Sequence, residues 1–172
     1  MKLDDDDFTL FDLPRRFALD RAQLDTSWRL LQTHVHPDRF ASEGAAAQRL
    51  AMQWAMRINE AYRRLKDPLQ RAALLCELGG APIEAERNTA MPPAFLMQQM
   101  AWRESLEEAR TVEQIQALDS QIAEQERAMS EQVRQALDER QEPAVAAQLV
   151  RALMFVARFR LDIDHRLEAL GQ

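Results

Sequence analysis

The amino-acid sequence predicts an all-α fold. Glycine is scarce, with 4 residues in 172, and a hydrophobic content of 47% is enough for a real core. Apolar residues recur at spacings of three and four along most of the chain, whereas no segment alternates with a period of two over strand length. We therefore expect helices throughout and no β-sheet.

The first elements follow from local signals. The run Asp4–Asp7 is predicted to be a solvated tail, and residues 8–18 a short helical turn followed by a loop around Pro14. Asp20 is a candidate N-cap for a helix that Pro37 ends. The predicted buried stripe of this helix consists of Leu24, Trp28, Leu31 and Val35.

A second long helix is predicted to follow, capped by Ser42 and interrupted at Asp67. The two long helices are expected to pack as an antiparallel hairpin, and Pro68 suits the first turn of a further helix that ends near Leu78. The predicted stripe of the second helix consists of Ala47, Leu50, Trp54, Ile58, Ala61 and Leu65.

Glycine and proline divide the chain into two parts. Gly79-Gly80-Ala81-Pro82 is the strongest interruption of the helical pattern. We predict an N-terminal domain at 1–78, a linker at 79–92 and a C-terminal domain at 93–172.

The C-terminal domain contains three helical patterns. The first runs from about Pro93 to Ala109, Thr111 and Gln114 form a capping box at the start of the second, and Pro143 begins the third. Because the connections are short, we expect an antiparallel three-helix bundle.

Charge and composition restrict the class of protein. A formal net charge of −6 argues against general nucleic-acid binding, and no segment has the length and apolarity of a membrane span. The acidic start differs from an Arg-rich transit peptide, so a cytoplasmic protein is expected. Cys76, the single cysteine, lies among leucines and is interpreted as a small buried hydrophobe. No clear dimer seam is visible, which favours a monomer.

The tripeptide His36-Pro37-Asp38, termed the His36 loop below, is the first candidate site. Pro37 fixes the directions of its neighbours, Arg29 falls on the same helical side as His36, and Arg39 adds a further positive group beside the loop. Alternatively, the tripeptide is only a helix stop. A metal or acid–base site would need a third ligand or a nucleophile that the spacing does not supply.

The helix after Pro93 has two apolar faces. Phe95 and Trp102 fall on the core face, whereas Leu96, Met97 and Met100 lie largely off it. The last three are termed the α5 patch below, and such patches mark interaction sites when they are exposed. The alternative is that a neighbouring helix covers them as core.

The N-terminal half resembles the J-domain of DnaJ-type co-chaperones. The His36 loop between two helices, followed by Asn59-Glu60-Ala61-Tyr62 and then Asp67-Pro68, carries this resemblance. It implies a regulator of a seventy-kilodalton heat-shock ATPase and not an enzyme. The chaperone-binding residues that it implies are His36, Pro37, Asp38, Arg29 and Arg39.

Nearly the whole chain resembles the HscB co-chaperone family. The opening segment Phe8–Pro14, the segment Asn88–Glu107 and the segment Arg151–Arg160 carry this resemblance. It implies that the protein binds the chaperone HscA and the iron–sulfur scaffold IscU, without a cofactor or metal of its own. The scaffold-binding residues that it implies are Leu96, Met97, Met100, Arg103, Glu104 and Phe155.

Three other functions make different demands on the sequence. A general DnaJ-type co-chaperone for unfolded clients predicts a Gly/Phe linker, paired Cys-x-x-Cys motifs or a β-rich domain, and the sequence has none of these. An enzyme would need a larger cluster of reactive residues than His36 and Asp38. A helical interaction module without J activity remains distinguishable by the effect of His36→Gln on chaperone ATPase activity.

Overall fold

A computed structural model describes residues 1–84 and 91–171, and every regular element within these ranges is helical. The predicted all-α class is therefore confirmed. Part of the predicted linker 79–92 and the pair Asn88-Thr89 lie outside the described residues. The chain divides into two compact units at the bond between Leu75 and Cys76.

The first unit is built on a helical hairpin with short helices before and after it. The hairpin helices are α2 and α3, and α4 begins at Pro68 as predicted. The elements are α1 (Asp7–Leu10), α2 (Arg21–Val35), a 3-10 turn (Pro37–Phe40), α3 (Ala45–Lys66) and α4 (Pro68–Leu78), of which residues 76–78 belong to the second unit.

The two long helices begin in different ways. The side chain of Asp20 accepts hydrogen bonds from the backbone N–H groups of the next turn, which confirms the predicted N-cap of α2. The predicted cap of α3 at Ser42 is wrong, because the N-cap is Gly44 and it makes no side-chain capping bond. Ser42 still belongs to the turn that follows Phe40, and Gly44 has a φ of 98°, which glycine adopts without steric cost.

The core of the hairpin follows the predicted stripes with one exception. Leu24 and Ile58 are fully buried, whereas Leu50 is 49% exposed. The core position belongs instead to Ala51, which is 4% exposed. Ala51 lies seven residues before Ile58 and therefore falls within roughly 20° of it around the helix.

The N-terminal aspartates are not a solvated tail, so that prediction is wrong for Asp6 and Asp7. Asp6 caps α1 through the N–H groups of its first turn, and Asp7 is 1% exposed. Asp7 accepts hydrogen bonds from Arg57 at 2.8 Å and from Arg64 at 2.6 Å and 2.7 Å. These arginines stand 50 and 57 residues further along the chain, so no local pattern reveals the cluster.

The second unit contains three long helices. Thr111 and Gln114 form both hydrogen bonds of a capping box, and prolines begin the first and third helices, as predicted. α6 and α7 run antiparallel, and Arg160 of α7 donates to Asp119 of α6 at 2.9 Å. The elements are α5 (Pro93–Glu108), α6 (Val112–Arg134), a π-helical segment (Gln135–Glu139) and α7 (Pro143–Leu170).

The charge state of Asp7 makes the stability of the first unit depend on pH in the acidic range. Burial alone raises the pKa of Asp7, but hydrogen bonds and charges from Arg64 and Arg57 outweigh it and hold the pKa below its ordinary value. The folded-state pKa is thus lower than the unfolded one. The stabilisation is complete above the unfolded value of about 3.9 and is lost as the pH falls through the folded value.

We predict that Asp7→Asn lowers the free energy of unfolding of the first unit by about 3 kcal/mol at neutral pH, because two arginines lose their buried carboxylate. Amide hydrogen exchange of α3 measures this. Asp4→Asn is the matched control, since Asp4 is exposed, and should change the value by no more than about 0.5 kcal/mol. The difference from wild type should shrink below about pH 4. Equal protection of α3 in both variants would show that the cluster contributes little.

Candidate functional site

The His36 loop forms because Pro37 ends α2. Proline disfavours helical geometry in the residue before it, and His36 is extended, with φ −60° and ψ 127°. Pro37 then begins the 3-10 turn that leads towards α3. The tripeptide therefore occupies the tip of the hairpin, between two helices that pack on each other.

Local hydrogen bonds hold the loop while leaving its side chains accessible. The Nδ1 atom of His36 accepts the backbone N–H of Asp38 at 3.3 Å, so the opposite ring nitrogen points away from this bond. Arg39 donates to the carbonyl of Thr33 in the last turn of α2 at 2.9 Å. The side chains of His36 and Asp38 are 56% and 92% exposed. A partner can thus contact both of them on a fixed backbone.

A polar and aromatic cluster fixes α2 against α3. Trp28 stacks on Tyr62 with ring centroids 4.7 Å apart, and its indole N–H donates to the side-chain oxygen of Asn59 at 3.0 Å. Gln32 donates to the same oxygen. The hydroxyl of Tyr62 donates to Asp25 at 2.7 Å. Asn59 and Tyr62 therefore fix the two helices that carry the loop at their end. The sequence pattern alone did not reveal this role.

Charge on the exposed side of α2 is partly neutralised. Hydrogen bonds from Tyr62 and Arg21 hold the pKa of Asp25 below its ordinary value, so this carboxylate stays ionised at neutral pH. Arg21 therefore already has a carboxylate partner at 2.9 Å. Arg29 is exposed and stands seven residues before His36, on nearly the same side of α2.

The core face of α5 is fixed by aromatic side chains. Phe95 and Trp102 are buried and meet edge to face, with centroids 6.1 Å apart. Trp102 stacks on Phe159 of α7, and the half-buried Phe155 meets Phe95 edge on at 6.2 Å. Phe155 is therefore placed beside the core face of α5.

A groove of about 940 Å³ borders the core face of α5, between this helix, α6 and α7. Phe95 and Met129 are among its apolar lining residues, and Gln98 of α5 and Gln125 of α6 exchange amide hydrogen bonds at its wall. Because α5 is held by aromatic contacts on one side and by this amide pair on another, its remaining surface has a defined orientation within the unit.

The α5 patch is exposed in this unit. Leu96, Met97 and Met100 are 45%, 73% and 71% exposed, so no neighbouring helix of the unit covers them as core. Arg103 and Glu104 are exposed as well and follow the patch along the helix. This arrangement provides an adaptable apolar surface beside two charged groups.

The rest of the described structure offers little for chemistry. Within residues 1–84 and 91–171, no group of three or more His, Cys, Asp or Glu side chains is placed to hold a metal ion. Burial raises the pKa of the Cys76 thiol to about 11, more than the charge of Arg151 lowers it, so the sulfur is an unreactive buried group. Among the same residues, no helix is long and apolar enough to cross a membrane.

Comparisons with known proteins agree with the fold. Residues 91–164 match a family described as the HSCB C-terminal oligomerisation domain. A co-chaperone protein HscB homolog of Burkholderia multivorans is 51% identical, with 99% of this chain and 98% of the relative covered. A homolog of Paraburkholderia xenovorans is 49% identical, with coverage of 98% and 97%.

Two solved structures share the architecture. Chaperone HscB from Vibrio cholerae superposes with a TM-score of 0.88 at 36% identity, covering 96% of this chain and 99% of that one. Human co-chaperone protein HscB gives a TM-score of 0.88 at 24% identity, covering 100% and 86%. The human protein supports the fold alone.

We predict that the core and patch faces of α5 respond differently to substitution. Trp102→Ala should lower the free energy of unfolding of the second unit by about 3–5 kcal/mol, because it leaves a cavity against Phe159. Replacing Met97 and Met100 together by serine should change it by no more than about 0.5 kcal/mol per site, since both are exposed. Hydrogen exchange of α6 amides measures both. A large loss in the serine variant would mean that the patch is packed in solution.

Proposed function

The chain belongs to the HscB family of co-chaperones, and from this premise we propose that it stimulates ATP hydrolysis by an HscA-type chaperone and delivers the iron–sulfur scaffold IscU to it. The delivery assists the maturation of iron–sulfur proteins. In this proposal the chaperone performs the chemistry, and the chain, acting as a monomer, contributes binding alone.

The exposed His36 loop is the observation that supports the proposal most directly. Its backbone is fixed by Pro37 and by the bond between His36 and the N–H of Asp38, while the side chains remain open to a partner. A regulator without chemistry of its own can act only by binding one conformation of the ATPase better than the other. A tenfold preference corresponds to about 1.4 kcal/mol. A rigid loop with a few polar and charged contacts, from His36, Asp38 and Arg29, is able to supply this.

The α5 patch supports the second half of the proposal. Its two methionines are unbranched and adapt to an irregular surface, and Arg103 and Glu104 give it polar contacts at the edge. We propose that Leu96, Met97 and Met100 bind the scaffold, with Phe155 in support. One chain that holds both partners raises the local concentration of scaffold at the chaperone.

We predict that His36→Gln reduces the stimulation of steady-state ATP hydrolysis by about tenfold or more, a loss of at least ~1.4 kcal/mol in coupling to the chaperone. Glutamine cannot reproduce the ring that accepts the Asp38 N–H. His34→Gln is the matched control, because His34 is exposed in the last turn of α2 and its Nδ1 atom lies 2.7 Å from the backbone carbonyl oxygen of Leu30. Equal activity of wild type and His36→Gln would refute a J-type mechanism.

The scaffold should lower the amount of protein needed for stimulation, and we predict that Met97→Ser with Met100→Ser raises the half-maximal scaffold concentration about tenfold. The cause is the loss of apolar contact area without unfolding. Leu161→Ser serves as the control, since Leu161 is 58% exposed elsewhere in the same unit. If the serine pair needs the same scaffold concentration as Leu161→Ser and wild type, the patch is not the scaffold site. Stimulation by the protein without scaffold should be the same in all three proteins.

A further inference from the structure

Two methionines on the hairpin are exposed and have no place in the function proposed above. Met52 is 55% exposed and Met56 is 71% exposed, both on α3, whose opposite face carries the buried residues Ile58 and Leu65. They are four residues apart and are therefore neighbours on the helix surface.

The methionines belong to a stripe of α3 that borders α2. Met52, Met56, Asn59 and Arg63 follow one another at spacings of four, three and four residues, which keeps them on one side of the helix. Asn59 is the member of this stripe that contacts α2, because its side-chain oxygen accepts hydrogen bonds from Trp28 and Gln32.

A matching stripe on α2 leads to the His36 loop. Asp25, Arg29, Gln32 and His36 are again spaced by four, three and four residues. The bond between Gln32 and Asn59 therefore joins the stripe that contains the loop histidine to the stripe that contains the methionines.

The methionines lie at the loop end of the hairpin. The two helices are antiparallel, so moving backwards along α3 from Asn59 corresponds to moving forwards along α2 from Gln32. Met56 and Met52 are roughly 4.5 Å and 10 Å from Asn59 along the helix axis, and His36 is roughly 6 Å from Gln32. The methionines and the His36 loop are consequently parts of one continuous face.

The rim of this face is positively charged. Arg29, Arg49 and Arg63 are exposed around it, although the chain as a whole has a net charge of −6. Asp25, on the α2 side, is held by Arg21 and Tyr62. The face therefore suits a partner surface in which carboxylates surround an apolar depression.

Glu60 does not change the sign of this rim. It is four residues after Met56 on the same helix and is paired with Arg64 at 2.9 Å.

We propose that Met52 and Met56 form an apolar contact with the same ATPase chaperone that the His36 loop engages. The inference rests on the proposed function and adds a second contact to it. The loop sets how far ATP hydrolysis is stimulated, whereas the methionines, through the apolar area they bury, set the concentration at which stimulation occurs. The two contributions are separable in a titration.

The test is a titration of chaperone ATPase activity with full-length protein. Met52→Ser with Met56→Ser should raise the half-maximal concentration about tenfold and leave the maximum unchanged. Met52→Leu with Met56→Leu should restore nearly wild-type behaviour, because leucine keeps the apolar area. Leu30→Ser is the control, since Leu30 is 60% exposed on the same hairpin and lies roughly 160° from Gln32 around α2.

The possible outcomes separate the inference from the function on which it rests. If wild type stimulates, His36→Gln does not, and the serine pair titrates like wild type, the methionine contact is overturned while the proposed function stands. If wild type itself does not stimulate a competent chaperone, both are overturned. The contact would also be overturned if the serine pair changed only self-association, measured by sedimentation. The same holds if it changed only the additional stimulation that scaffold provides.

A second measurement does not depend on how the serine variant folds. Methionine methyl resonances of the wild-type protein, assigned with the single leucine variants, should broaden on addition of chaperone at Met52 and Met56. Those of Met97 and Met100 should broaden less than those of Met52 and Met56 until scaffold is added. Unchanged Met52 and Met56 resonances under conditions in which the His36 region broadens would overturn the inference.

Discussion

The side-chain oxygen of Asn59 holds together the face that the His36 loop forms with Met52 and Met56. An amide oxygen has two lone pairs, and here the indole of Trp28 and the amide of Gln32 occupy them. This shared acceptor fixes the register of α2 against α3 at a point between the loop and the Tyr62–Asp25 bond. The direction of the His36 loop and the position of the exposed methionines both follow from that register.

Both units present their candidate surfaces in the same manner. In each, a helix is anchored through one side and leaves another side open, so that little backbone order has to be gained when a partner binds. Aromatic stacking anchors α5 through Trp102 and Phe159, and the Gln98–Gln125 pair adds a polar anchor. The open side then combines a fixed backbone with flexible methionine side chains. The side chains can adapt to an irregular partner surface while the helix keeps its position.

Much of the fold was predictable because its signals are local. The caps at Asp20 and Thr111 act within one turn, and the two faces of α5 follow from the helical period alone. The burial of Asp7 was not predictable, since its partners are 50 and 57 residues away. The burial of Ala51 in place of Leu50 was not predictable either, because it depends on how packing rotates α3 about its own axis. For the candidate site, the position of the α5 patch off the core face was predictable, whereas its exposure and the joining of two stripes across the hairpin required the tertiary structure.

The distance in sequence between Asp7 and its arginines has a consequence for synthesis on the ribosome. The α2–α3 hairpin closes through contacts that are nearer in sequence than those of the N-terminal segment. Asp7 leaves the ribosome well before Arg57 and Arg64, the two cationic partners of its buried carboxylate. At about 5–20 residues per second, Arg64 emerges roughly 3–11 s after Asp7. Asp7 is thus made before the hairpin but reaches its native contacts only after most of the hairpin has been made.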